Sequence, residues 1–222
     1  MGKDLLTSKQ FDFLELAAQK KEIIKRFYLT GGSALAAFYL NHRVSKDLDF
    51  FSEKEEVPPK IIEVFLRKIS SQLGIVKIER SQFLGLFSYY LIYSDRASLK
   101  VDFNYYPFPR IEKGEIYKGL EIASIYDIAV DKLHTLFMKP RGRDYVDLYF
   151  ILKEKNYPLK KLILDAKAKF DWNIDRLNLA AQFLRVKDFE EILKMRKPFK
   201  RKEMENFFLN EAKKLKKEIF KD

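Results

Sequence analysis

Cysteine is absent from this chain of 222 residues, so neither a disulfide framework nor a thiolate metal centre is available to it. Histidine occurs twice, at His42 and His134, which disfavours histidine-built zinc chemistry. Glycine (8) and proline (7) are sparse, which leaves few breaks in regular structure. No run approaches the roughly 18 apolar residues of a membrane span. The start, Met1-Gly2-Lys3-Asp4, has no apolar signal core. A cytoplasmic protein without a membrane partner is expected. What the chain does have is apolar bulk, with 47% hydrophobic residues and 20 Phe, enough for a sizeable core. It also has positive charge, +11 with a pI near 9.5, which favours polyanionic partners: nucleotides, RNA, DNA or an acidic protein. A lysine-rich solvated surface is the plainer source of that charge.

The apolar pattern divides the chain into an α/β half of roughly residues 1–120 and a helical half of roughly 121–222. Residues 5–26 read as a helix, with Leu5, Phe13, Leu16, Ala17, Ile23 and Ile24 in broken register. A helix is expected near 60–73, striped by Ile61, Ile62, Phe65, Leu66 and Ile69 and ended by Gly74. Strand-like runs follow at 75–79, 84–93 and 98–105, with Ser94-Asp95-Arg96 as a hairpin connection and Pro107 and Pro109 ending the sheet. Beyond residue 124 helices dominate, broken near Pro140-Arg141-Gly142, Pro158 and Pro198. No internal repeat stands out. The tail, 202–222, reads as an amphipathic helix with Phe207, Phe208, Leu215 and Ile219 on one side and a solvated lysine face on the other.

The most informative stretch runs from Phe27-Tyr28-Leu29-Thr30-Gly31-Gly32-Ser33 to Asp47-Leu48-Asp49-Phe50-Phe51. It reads as a strand, a glycine turn, a helix over 33–40, a basic loop, and a strand carrying two aspartates. A Gly-Gly-Ser turn at a helix start exposes backbone N–H groups, a seat for phosphate. Alternation along the strand puts Asp47 and Asp49 on one face, where paired carboxylates call for a cation. Hard divalent ions suit such oxygen ligands and leave room for phosphate oxygens. A third carboxylate comes from Lys100-Val101-Asp102-Phe103-Asn104, where Lys100, Asp102 and Asn104 share a face. An edge position facing water is the plainer reading of Asp102 alone. His42-Arg43 precedes the acidic strand and either touches phosphate or is loop surface. Gly31-Gly32 is no Walker motif, Ser33 lacks a Gly-x-Ser-x-Gly context, and Trp172 reads as core.

In the helical half, Ile125, Ile128, Ala129, Leu133 and Leu136 form one stripe, and Lys132 lies in its middle. A buried ammonium needs a carboxylate or a bound anion, unless it snorkels out; a nucleotide triphosphate is the favoured partner. Asp127, three residues after Ser124, reads as a structural capping-box residue. In Arg141-Gly142-Arg143-Asp144-Tyr145-Val146-Asp147-Leu148, Asp144 reads as an N-cap. Asp147, one turn into a helix apolar nearly all round, needs an internal partner, for which Lys132 is available. Arg141 and Arg143 are weaker phosphate contacts.

Taken together and in order, these segments resemble the AbiEii/AbiGii toxin family of nucleotidyltransferases, within the DNA polymerase β-like superfamily. The resemblance covers roughly residues 25–152. It implies an α+β fold: a polymerase β-like nucleotidyltransferase core, a mixed sheet with flanking helices, followed by a C-terminal helical region that carries Lys132, Asp147 and an acceptor-binding surface. It implies an Mg2+ (or Mn2+) dependent transfer of NMP from an NTP to an acceptor hydroxyl, RNA and in particular a tRNA 3′ end, of toxin–antitoxin type, with a cognate antitoxin as possible partner. Asp47, Asp49 and Asp102 are then the metal and catalytic carboxylates, with Lys132 and Asp147 also catalytic. Gly31, Gly32, Ser33, Arg43 and Lys132 are the nucleotide-binding set. A protein or small-molecule acceptor, or a non-catalytic polyanion-binding module on the same scaffold, are the alternatives.

Overall fold

The computed structural model describes residues 6–219, in two compact units that meet in sequence at Ser124/Ile125. Leu5, the side chain of Ile219 and the last residues to Asp222 lie outside the described part.

The first unit is built on a seven-stranded mixed sheet. Its strands are β1 (Tyr28–Thr30), β2 (Leu48–Ser52), β3 (Ile75–Phe83), β4 (Leu86–Tyr93), β5 (Ser98–Tyr105), β6 (Ile116–Tyr117) and β7 (Leu120–Ile122), in the order β3-β4-β5-β2-β1-β7-β6. Asp47 falls one residue before β2, so the expected strand with two aspartates carries only Asp49 within it. Pro107 and Pro109 do not end the sheet. The chain returns through the hairpin β6–β7, and β7 lies parallel to β1. Two strands of two and three residues carry too little alternation to be seen in sequence.

The single helix expected over 5–26 is two: α1 (Ser8–Ala18), opened by a Thr7/Gln10 capping box, and the one-turn α2 (Lys21–Ile24), with Lys20 extended between them. After β1 the chain enters α3 (Gly31–Ala34) and continues as a π-helical turn over Leu35–Leu40, closed by left-handed Asn41. The helix therefore starts at Gly31, two residues earlier than the sequence pattern suggests. α4 (Pro59–Leu73) carries its expected stripe and ends at left-handed Gly74. One sheet face is an aromatic core: Phe50 stacks on Phe103 at 5.1 Å, Phe27 meets Phe103 edge-on at 5.0 Å, and Phe13 of α1 bridges Phe50 and Phe65 of α4. Such contacts add about 0.5–1.5 kcal/mol per pair beyond area burial.

The second unit contains α5 (Ile125–Met138), α6 (Gly142–Lys155), α7 (Leu159–Phe170), α8 (Arg176–Leu184), a 3-10 turn (Arg185–Asp188) and α9 (Arg201–Ile219). The breaks at Pro140, Pro158 and Pro198 fall where proline predicts them. α9 buries Met204, Phe208, Ala212 and Leu215, while Phe207 is only half-buried. Trp172 is not core; it is 54% exposed, beside the left-handed Asp171 that ends α7. Among the described residues no helix is long and apolar enough to cross a membrane.

Candidate active site

Strand register creates a polar row across the sheet. Thr30 pairs with Asp49, Asp49 with Asp102, and Asp102 with Ser88. Residues paired across neighbouring strands share a face, so this row lies opposite the Phe50–Phe103 core. The parallel pairing of β2 with β5 is what sets Asp49 beside Asp102.

The glycine turn closes over this row. Gly31 has φ +73, and a Cβ there would run into Asp49 Oδ2, so glycine is required both by backbone conformation and by the carboxylate pressed against it. A Cβ on Gly32 would stand 2.6 Å from Arg43 Nη2. Arg43 and His42 are both buried, which rules out the loop-surface reading. Arg43 also donates to the Val44 carbonyl at 3.1 Å. Ser33 is fully buried, and its hydroxyl donates to the Asp47 carbonyl, tying the glycine turn to the start of the acidic strand. Gln10 reaches in from α1, donating to the Ser45 carbonyl at 3.0 Å and to Ser33 Oγ at 3.4 Å.

Asp102 is buried and held at both oxygens: Ser88 Oγ donates to Oδ1 at 2.6 Å, and Lys100 Nζ to Oδ2 at 2.5 Å. Asp47 lies just before the Leu48↔Val101 pair that opens the β2–β5 register. Burial opposes the Lys100 charge, but the hydrogen bond and attraction to Asp102, and then attraction to Asp47, hold its ammonium above the usual lysine range. Among the described residues no group of three or more acidic or histidine side chains is arranged to hold a metal ion. The chemistry of the pair nevertheless fits a hard divalent cation: Asp49 and Asp102 are register neighbours with carboxylate oxygens, and a lysine ammonium already plays cation to Asp102. Gln10, Ser88 and Lys100 are absent from the sequence-derived site. The Thr7-x-x-Gln10 spacing and the Lys100/Asp102 alternation were the available signals.

In the helical unit, Lys132 Nζ lies 2.7 Å from both Asp144 Oδ1 and Asp147 Oδ2, and both carboxylates are fully buried. The need of Lys132 for an anion is therefore met by two side chains, where the sequence argument favoured a triphosphate. Asp144 is the third residue of α6 and no N-cap; it pairs with Arg141 as well, at 2.8 Å. Burial raises the Asp144 pKa, and Lys132 and then Arg141 outweigh it, leaving the carboxyl below its usual range. Arg143 faces Glu191. Asp127 does not stand merely at a helix start: with Asp131 it encloses the buried Lys169 ammonium, at 3.2 and 2.7 Å.

The fold is shared with two solved Helicobacter pylori proteins. JHP933 is 21% identical, covers 96% of this chain and 94% of its own, and superposes with a TM-score of 0.59. A protein solved as a candidate nucleotidyltransferase is also 21% identical, covers 96% and 97%, and gives 0.58. An uncharacterized Aquifex aeolicus (strain VF5) protein, aq_aa25, is 31% identical over 194 residues, 86% of this chain and 88% of its own. The family model for the nucleotidyl transferase AbiEii toxin of type IV toxin–antitoxin systems matches residues 13–219, and the chain belongs to that family. It is thus a nucleotidyltransferase, the class that transfers a nucleoside monophosphate from an NTP.

Proposed function

We propose that this chain is a Mg2+-dependent nucleotidyltransferase that places NMP on an RNA hydroxyl, in particular a tRNA 3′ end, and that a cognate antitoxin restrains it. The observation that carries the reading is the juxtaposition of Asp49 and Asp102 beneath the Gly31–Ser33 turn. Asp47, Asp49 and Asp102 would hold the divalent ion, Mg2+ or Mn2+, which neutralises charge on the reacting phosphate and lowers the pKa of a hydroxyl beside it. The Gly31 and Gly32 backbone, organised by Ser33, and the Arg43 guanidinium receive the triphosphate. Asp102 takes the proton of the acceptor hydroxyl as its oxygen bonds to the α-phosphorus, and the bond to the pyrophosphate oxygen breaks. Lys132 and Asp147, to which the family resemblance gives a part in activity, stand within the helical unit as one ion-paired cluster with Asp144. Purified protein incubated with labelled NTPs, Mg2+ and total RNA is expected to label RNA. Label in a protein band with RNA unlabelled would replace the acceptor, and folded protein that labels nothing would sink the reading.

The RNA acceptor is supported by charge. Residues 125–222 hold 24 Lys and Arg against 16 Asp and Glu, which is +8 of the chain's +11. Six of those cations fall within 194–202, a stretch without an acid, and Lys194, Arg196, Lys200, Arg201 and Lys202 are exposed. The combined change Lys194→Glu, Lys200→Glu and Lys202→Glu is expected to weaken RNA binding about tenfold or more near physiological salt and to flatten its salt dependence by about 0.7–0.9 per lost phosphate contact. Fluorescence anisotropy across a KCl series reads both quantities; an unchanged slope removes this stretch from the interface.

A further inference from the structure

Lys100 belongs to the same strand face as Asp102, and the transfer described above assigns it no step. Its ammonium sits 2.5 Å from Asp102 Oδ2 and also feels the charge of Asp47. That is the region where a divalent ion shared by the aspartates has to lie, and two cations cannot share one carboxylate oxygen without strong repulsion. Lys100 is also movable: its side chain is 28% exposed, against 10% for Asp102, and four rotatable bonds give it an escape route. Ser88 keeps its grip on the other Asp102 oxygen, so the carboxylate stays oriented when the lysine leaves.

Building on the metal-dependent reading of this site, we propose that Lys100 is an internal counter-cation that competes with the divalent ion for Asp102 and so couples metal loading to nucleotide binding. Without a new partner, an expelled ammonium loses its carboxylate, which weakens binding of the metal by itself. A triphosphate arriving with the metal supplies the replacement anion. Metal and nucleotide therefore bind with positive coupling, and the coupling resides in a positioning residue that acts through Asp102.

The test uses the full chain and Mn2+ titrated by electron paramagnetic resonance, with and without α,β-methylene-ATP or α,β-methylene-GTP. Wild type is expected to bind Mn2+ about tenfold or more tightly when the nucleotide is present. Lys100→Gln keeps a hydrogen-bond donor for Asp102 but no charge. It is expected to bind Mn2+ alone about tenfold more tightly than wild type and to lose most of the nucleotide effect. Lys100→Arg should retain the wild-type pattern, and Lys100→Met serves as a second neutral variant should the glutamine variant fold poorly by circular dichroism. Neutral variants that match wild type in both titrations overturn the proposal while leaving the metal site standing. Folded wild type that binds no Mn2+ even with either nucleotide removes the metal site itself.

Discussion

Asp49→Asn is expected to cut NMP transfer by about 10³-fold or more, because stabilisation of phosphoryl charge by a bound divalent ion amounts to several kcal/mol and each 1.4 kcal/mol is about tenfold in rate. The substitution is nearly isosteric, so the carboxamide still fits against Gly31 and the β1–β2–β5 register is kept. Melting by circular dichroism should move by no more than a few degrees. Transfer measured by labelled NTP at saturating Mg2+ decides it: activity within tenfold of wild type would remove Asp49 from the metal assignment. Loss of activity together with loss of the folded signal would speak only to stability, so both measurements belong together.

The second large effect falls in the helical unit. Lys132→Met takes away the ammonium that Asp144 and Asp147 share, and leaves two fully buried carboxylates without their shared cation. Removing one partner from a buried ion pair costs about 3–5 kcal/mol, which is a large part of the stability of a domain this size. Urea unfolding should show that loss, and the triple change Lys132→Met, Asp144→Asn, Asp147→Asn should recover part of it, since the stranded charges go with their partner. A single-variant loss below about 1 kcal/mol would contradict the geometry. The pH dependence has a definite sign. Asp144 is held below its ordinary 3.8 in the folded state, so its contribution is complete above that value and is lost as the pH falls through the folded-state value. In the variant the same carboxyl keeps only Arg141 and has less of that contribution to lose. The gap between wild type and variant should therefore narrow in acid.

What the sequence shows of this site follows from how far each signal reaches. Alternation along 98–105 places Lys100 and Asp102 on one face, and the glycine pair and the Asp-x-Asp spacing mark the turn and the acidic strand. Those are local signals; the structure keeps Lys100 and Asp102 on β5 and the glycine turn against Asp49, while Asp47 falls just outside β2. Which strand lies next to which is a long-range matter, so the Ser88 contact to Asp102, from β4 to β5, has no local signature, whereas the Lys100 bridge lies within one strand. For Lys132 the sequence indicates one of its two partners: Asp147 pairs with it as expected, while the second anion is Asp144 and not a triphosphate. Asp144 has the sequence signature of a helix start, and only the arrangement of α5 and α6 turns it inward. Gln10 escaped notice because its amide completes a capping box and also bonds the loop before Asp47, and only the first role has a sequence signature. Strands β6 and β7 were missed because they are short and follow a proline-rich stretch.

The parallel alignment of β2 with β5 has a consequence for biosynthesis. Asp49 and Asp102 stand 53 positions apart in the chain, and no hairpin joins their strands; the intervening segment holds α4, β3 and β4. Closing so long a loop is slow and comes late relative to the local β3–β4–β5 meander. A ribosome-bound fragment ending before Ser98 lacks half of its acidic row. Synthesis of a harmful enzyme of this design therefore yields inert intermediates until the fifth strand has emerged and docked.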